Sequence, residues 1–181
     1  MTRDRRVLAA WLAAGAAGFL LVPWYALPDS VLSVGWLARW GDAQNAPALL
    51  QWLRHGRGQL APAAILLLAV LPLLSPRIAA PVRAHALIAL GSVGFVYVLA
   101  QGFVLSAQDG MGVGACLVLA AFAMMVAMGL AGRGAFKGDV FVAGSVLAIG
   151  VLVALFTLYP VVTILLQALE DRAGAWSLAA F

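Results

Sequence analysis

Charge is what this sequence has least of. Asp, Glu, Lys and Arg together supply 10% of its 181 residues, against about 25% in soluble domains. Hydrophobic residues supply 65%, and the mean hydropathy is +1.04. A soluble domain of this length could not hide that much apolar surface, so the composition predicts a chain that lives in a bilayer. The formal net charge of +4 is small and scattered between apolar blocks. With no basic patch interleaved with aromatics, nucleic acid is excluded as a partner.

Cysteine and histidine are nearly absent as well. Cys116 is the only cysteine, which rules out disulfides and cysteine-built metal sites within the chain. His55 and His85 are the only histidines, and neither has a carboxylate neighbour at ligand spacing. His85 is expected to cap the start of its helix. No G-x-x-x-x-G-K-[ST] loop occurs, so no ATP hydrolysis is expected, and no catalytic, cofactor-binding or metal-ligating residue is assigned. The run Gly110-Met111-Gly112-Val113-Gly114 has some outline of a nucleotide loop. It leads into an apolar segment instead of following a strand, and is read as a tight turn.

What the sequence does have is five apolar blocks: Val7–Leu27, Leu60–Leu74, Ala84–Ser106, Val113–Ala131 and Val140–Leu169. A spanning helix needs about 20 apolar residues. The first block follows Arg3-Asp4-Arg5-Arg6 and is longer than a signal-peptide core, with no A-x-A site after it; an uncleaved span is expected. The second block is short and carries Pro62 and Pro72, so a re-entrant segment is the competing reading.

Charge decides between them. If all five blocks cross and the N-terminus is cytoplasmic, Arg3, Arg5, Arg6, Arg77, Arg83, Arg133 and Lys137 lie inside, and Arg39, Arg54, Arg57 and Arg172 outside. If the second block fails to cross, only Arg3, Arg5, Arg6 and Arg172 remain inside. The positive-inside rule prefers the first arrangement. The expected fold is therefore all-α: a polytopic integral membrane protein with five transmembrane helices, N-terminus cytoplasmic and C-terminus outside.

The outer loop 28–58 carries Trp36, Trp40 and Trp52, with Val31–Trp40 and Ala48–Leu53 reading as short amphipathic helices at the interface. A groove for a soluble partner is the lesser alternative. No Asp, Glu, Lys or Arg falls inside a block, which argues against a self-contained pump. The mild polar residues Ser92, Tyr97, Gln101, Ser145, Thr157, Tyr159, Thr163 and Gln167 are expected to hydrogen-bond between helices. Met124, Met125 and Met128 read as packing or lipid contact. Small pairs four apart (Ala14 and Gly18, Gly144 and Ala148, Gly150 and Ala154) permit close helix approach. The fifth block, at about 45 Å if wholly helical, exceeds a hydrocarbon core of about 30 Å, and Pro160 is expected to kink it.

The most specific pattern comes last. Leu158-Tyr159-Pro160, then Gly174, then Trp176-Ser177-Leu178 and Phe181 follow one another in order. This resembles the start of the permease core in binding-protein-dependent ABC importers, especially the iron(III) type, where a Leu-Tyr-Pro helix leads into an outer segment. The resemblance covers about residues 152–181. It implies that 1–139 is a four-span N-terminal membrane region, and that 140–181 holds the first core helix and the start of its outer segment. The family's coupling loop, an E-A-A…G segment, is absent, so this chain is expected to be the front, truncated portion of a permease and not transport-competent alone. Implied partners are the remainder of the permease or a second permease copy, a separate ATPase subunit, a periplasmic binding protein and the lipid bilayer. The implied location is the bacterial inner (plasma) membrane, multi-pass. The rival expectation is a complete small membrane protein with an accessory or scaffolding role.

Overall fold

In a computed structural model, residues 3–27, 35–102, 110–158, 160, 161 and 164 are described. Among them the architecture is all-helical, without strands. Two helices are long and apolar enough to cross a membrane. The chain divides into two compact units, Met1–Gly144 and Ser145–Phe181.

The first unit is a bundle around one central helix. Helix α1 spans Arg3–Leu20, α2 Gly35–Ala38, α3 Ala48–His55, α4 Ala61–Val70, α5 Ala80–Ala100 and α6 Val113–Gly132. A further helix, α7 (Val140–Val153), begins in this unit and runs into the next. Helices α5 and α6 are the two of membrane-crossing length. Helix α6 packs most extensively against α5 and α1, while α4 lies against both of those outer helices.

Why α6 is central follows from its side chains. Nearly every residue is apolar, many are small, and Val118, Ala121, Phe122 and Met125 have no exposed surface. On α5 the buried residues are Ala84, Leu87, Gly91, Gly94 and Val98, a three-then-four spacing that keeps one stripe on one face. Three of these five are glycine or alanine, which lets the two backbones approach. A methyl added at Gly91 would stand 2.9 Å from the Phe122 carbonyl oxygen, and one at Gly129 would stand 2.7 Å from that of Ala84. Helix α1 meets a different face of α6 in the same manner. A methyl at Gly15 would lie 2.9 Å from Ala121 Cβ, and one at Gly18 would lie 2.7 Å from the Gly114 oxygen.

Prolines set the helix ends. Helix α1 stops at Leu20 although the apolar run continues to Leu27, because Pro23 lacks an N–H and disfavours helical geometry before it. Helix α4 is flanked by 3-10 turns at Gly58–Leu60 and Leu71–Leu74, with prolines 62 and 72 each in the first turn of its element. Helix α5 starts at Ala80 with Pro81 in its first turn.

The small pairs expected to bring helices together divide. Gly18 lies in the α1–α6 contact, but its close partner on α1 is Gly15, while Ala14 is half-buried. Gly144 lies near Met124, its added methyl 3.3 Å from the sulfur. Gly150 meets nothing within 4 Å.

In the second unit the described part of α7 continues as a helix to Val153 and then widens into a π-helical turn at Ala154–Leu158. Pro160 follows directly. Its missing N–H and its ring, which crowds the carbonyl four residues back, favour such a widening.

Candidate functional site

The two ends of the first unit differ in chemistry. At one end the chain leaves α1 and runs extended instead of helical. The Pro23 carbonyl accepts a hydrogen bond from Gly114 N–H and the Trp24 carbonyl one from Gly112 N–H, both at 2.9 Å; Trp24 N–H donates to Ala46 at 3.3 Å. Isolated bridges join Pro23 to Pro47 and Tyr25 to Met111. Trp24 and Tyr25 are buried, the Trp24 ring edge-on to Phe19 at 5.8 Å.

This arrangement gives the Gly110–Gly114 run its role. A side chain on Gly112 would overlap the Tyr25 carbonyl, and a methyl on Gly114 would stand 2.6 Å from the Val22 oxygen. Gly110 has φ +77°, a left-handed conformation that glycine adopts freely. Gly110–Gly112 thus form a seat for residues 22–26, and Val113 and Gly114 already belong to the first turn of α6. The residues before Gly110, from which the expected tight turn would lead, lie outside the described residues.

The segment 35–58 closes over this end. Helix α3 is strongly amphipathic: Gln51 and Ala48 face inward, while Leu53 and Arg54 face out. Gln51 has no exposed surface; its Nε2 donates to the carbonyls of Ala43 at 2.6 Å and Ala46 at 3.3 Å, and its Oε1 has no partner. Trp40 Nε1 donates to the Leu21 carbonyl at 2.8 Å. Trp36, Trp40 and Trp52 are each half-buried, and Trp52 packs on the core. The Arg57 guanidinium stands 4.5 Å from the Tyr25 ring centre, within cation–π range. The expected helix Ala48–Leu53 is therefore present, whereas of Val31–Trp40 only Gly35–Ala38 is helical among the described residues.

Two mild polar residues of α5 complete the junction. Tyr97 Oη donates to the Gln59 carbonyl at 2.5 Å, tying α5 to the start of α4, and Gln101 Nε2 donates to Tyr97 Oη at 3.3 Å. A void of about 10 Å³ lies between Trp24, Tyr25, Gln101 and Met111. That is about one water at most. His55 Nε2 lies 3.3 Å from the Gly41 carbonyl, and among the described residues no cluster of three metal-ligating side chains occurs.

The chain matches no protein-family model, no curated protein and no solved structure.

At the opposite end the helix termini gather charge. Arg3, Asp4, Arg5 and Arg6 open α1, Arg83 lies in the first turn of α5, and Arg133 and Lys137 follow α6. His85 does not cap α5 as expected: its Nδ1 lies 2.7 Å from the Pro81 carbonyl, so this nitrogen carries the proton and donates within the helix. The N-terminal cap of α7 is Asp139, whose Oδ1 accepts from the N–H groups of Phe141 at 2.8 Å and Val142 at 3.2 Å. Phe136 and Lys137 before it both have positive φ, at 53° and 57°. Two cavities open here, of about 210 Å³ and 560 Å³. Arg5 Nε and Arg83 Nη1, on residues lining the smaller one, are buried without a hydrogen-bond partner. Leaving such a group unmet costs about 1–3 kcal/mol or more.

Of the residues carrying the family resemblance, Leu158 ends the π-helical turn and Pro160 is helical and exposed. Tyr159, Gly174, Trp176, Ser177, Leu178 and Phe181 lie outside the described residues, as do Thr163 and Gln167.

Proposed function

We propose that this chain is a membrane-embedded component of an ABC-type importer, in which the first unit is a rigid, non-conducting bundle. In this reading residues 140–181 hold the first helix of the permease core and the start of its outer segment, and iron(III) is the cargo that the family resemblance points to. ATP hydrolysis belongs to a separate ATPase subunit, and a periplasmic binding protein delivers the cargo.

The observation that carries the membrane part is the inversion of surface and interior. Ile65, Leu68, Val93 and Val96 are each more than half exposed, while the α5–α6 and α1–α6 contacts in the interior are rich in glycine and alanine. Lipid, not water, suits such a surface, and small residues at the contacts are how helices associate in lipid. Helix length supports a crossing by the second block as well. Ten α-helical residues and seven 3-10 residues from Gly58 to Leu74 rise about 29 Å, because a 3-10 turn climbs about 2.0 Å per residue against 1.5 Å. Helix α1 has only about 21 Å of uncharged helix from Val7 to Leu20. The extended segment 21–26 lengthens it, and its backbone is hydrogen-bonded inside the protein as a bilayer requires. Seven basic residues at one end support a cytoplasmic N-terminus.

Reporter fusions after Arg83 and after Phe181 are expected on opposite faces of the membrane, and the same face for both would sink the five-span topology. The permease assignment is tested by the reading frame beyond codon 181. Further spans and an E-A-A…G segment support it; a stop codon with none nearby overturns it in favour of a scaffolding protein.

A further inference from the structure

We infer that the charged end of the bundle holds a phosphate-binding site, built from Arg5 and Arg83 in the cavity of about 210 Å³ between α1, α5 and α6. The two arginines are 78 positions apart, and only the packing of α1 and α5 on the end of α6 brings them to one cavity. Both are half-buried, and each keeps one guanidinium nitrogen out of solvent with no hydrogen-bond partner. Folded proteins meet buried donors of this kind, and a charged donor most of all. Planar guanidinium forks match phosphate oxygens in particular.

The surroundings point the same way. The N-terminal turns of α1 and α5 both border the cavity, through Asp4 and Arg5 and through Ala80 and Arg83. Free backbone N–H groups at the start of α5 and the positive end of its dipole therefore lie beside it. Helix α5 has no side-chain cap to occupy those groups. Asp4 also lines the cavity, but it forms no ion pair with either arginine among the described residues. The neighbouring cavity adds Arg3 and Lys137 against Asp139, and that carboxylate is already engaged as the cap of α7. Four cations thus face two carboxylates. The floor is apolar, formed by Leu8, Leu87 and Met128. The volume is below the roughly 300–1,000 Å³ of drug-sized pockets, and suits one phosphate with its first substituents.

Phosphate of this kind reaches the site as the phosphodiester of an anionic lipid headgroup, which rests on the membrane reading above, or as free phosphate, which does not. Native mass spectrometry and thermal melting of the full chain in neutral detergent separate the two. The probes are phosphatidylglycerol, phosphatidylcholine and inorganic phosphate, each titrated alone. Retention and a raised melting temperature with phosphatidylglycerol alone identify the lipid source. The same response to inorganic phosphate identifies the free anion. No response to either, or an equal response to phosphatidylcholine, overturns the site.

The pair Arg5→Gln and Arg83→Gln is expected to weaken the response about ten-fold, the scale of losing two charge-assisted contacts. Because each of these nitrogens is a buried donor without a partner in the unliganded protein, its melting temperature without probe should hold or rise, not fall. Arg133→Gln removes the same charge from an exposed residue outside the cavity, and should weaken binding less than about two-fold. Equal losses for the pair and for Arg133→Gln would mean a diffuse charge effect and refute the site. Should the pair fail to fold, the single variants carry the test, each expected to lose about three-fold.

Discussion

Gly94→Ala places one methyl group at the tightest point between α5 and α6. That methyl would stand 2.5 Å from Cε1 of Phe122 and 2.6 Å from Cδ1 and Cζ, on a ring with no exposed surface. Carbon atoms rest at about 3.5–4.0 Å, so the ring must retreat by about 1 Å into packed surroundings. Overpacking of this kind costs about 1–3 kcal/mol. Alanine's advantage over glycine in a helix returns about 0.5–1 kcal/mol, which leaves a net loss of about 0.5–2 kcal/mol. A loss alone could have other causes, and the double variant isolates this one. Phe122→Leu removes the ring that Gly94→Ala would strike, at a cost of about 1.5 kcal/mol or somewhat more. In that background Gly94→Ala should become neutral or stabilising, so the two changes couple by about 1–3 kcal/mol. Unfolding the four proteins with dodecyl sulfate in mixed micelles, followed by far-ultraviolet circular dichroism, measures that coupling. Gly150→Ala, where the added methyl meets nothing within 4 Å, should show no loss at all. If the costs of Gly94→Ala and Phe122→Leu simply add, to within about 0.5 kcal/mol, the close glycine contact is not what holds α5 on α6.

The remaining predictions concern the uncharged end and the lipid-facing surface. Gln51→Ala takes the donor away from the Ala43 and Ala46 carbonyls and leaves a small cavity. It should cost about 1–3 kcal/mol and raise hydrogen exchange in residues 43–58, with α5 and α6 unchanged. Tyr97→Phe removes the bond to Gln59 and strands Gln101 Nε2, so a loss of about 0.5–1.5 kcal/mol is expected; a variant as stable as the parent in the same micelles would refute the tie between α5 and α4. Cys116 is exposed on the first turn of α6. In membranes it should react only slowly even with membrane-permeant N-ethylmaleimide, because lipid keeps the thiol protonated. It should resist a charged, impermeant maleimide added to either face, and react readily once the protein is unfolded in dodecyl sulfate. Rapid labelling by the impermeant reagent in intact membranes would contradict a lipid-facing position.

Much of the bundle was legible because apolar runs and prolines are local signals. The blocks at 84–106 and 113–131 became α5 and α6, and Pro23 and Pro81 account for where helices stop and start. The blocks overstated helix length where apolar character outlasted helical geometry. Val7–Leu27 reads as one run, yet Pro23, Trp24 and Tyr25 are buried as an extended segment, since hydropathy reports burial and says nothing of backbone conformation. That Gly112 and Gly114 seat residues 22–26 was not legible, because spaced glycines give no hydrophobic signal. Gln51 and Gln101 could not be told from solvated glutamines, as nothing local reveals that Gln51 is roofed by its own loop. Arg5 and Arg83 were each read as orientation signals, which is all that isolated arginines at the ends of apolar blocks convey. Their meeting in one cavity depends on the register of α1 and α5 on α6, and that register is set by Gly15, Gly18, Gly91 and Gly94.

Those four glycines also connect the two ends of the bundle. Each marks a close approach of α1 or α5 to α6 with no space for a methyl group. One consequence at the uncharged end is that residues 22–26 emerge beside Gly112 and Gly114, where their hydrogen bonds are met. At the other end, Arg5 of α1 and Arg83 of α5 line one cavity beside the end of α6. Small residues in the middle of the bundle therefore determine what chemistry its charged end presents. Gly129→Ala, which sets a methyl 2.7 Å from the Ala84 oxygen and 2.9 Å from the Ile88 nitrogen, should shift α5 at Arg83 and weaken phosphate-dependent stabilisation without touching either arginine.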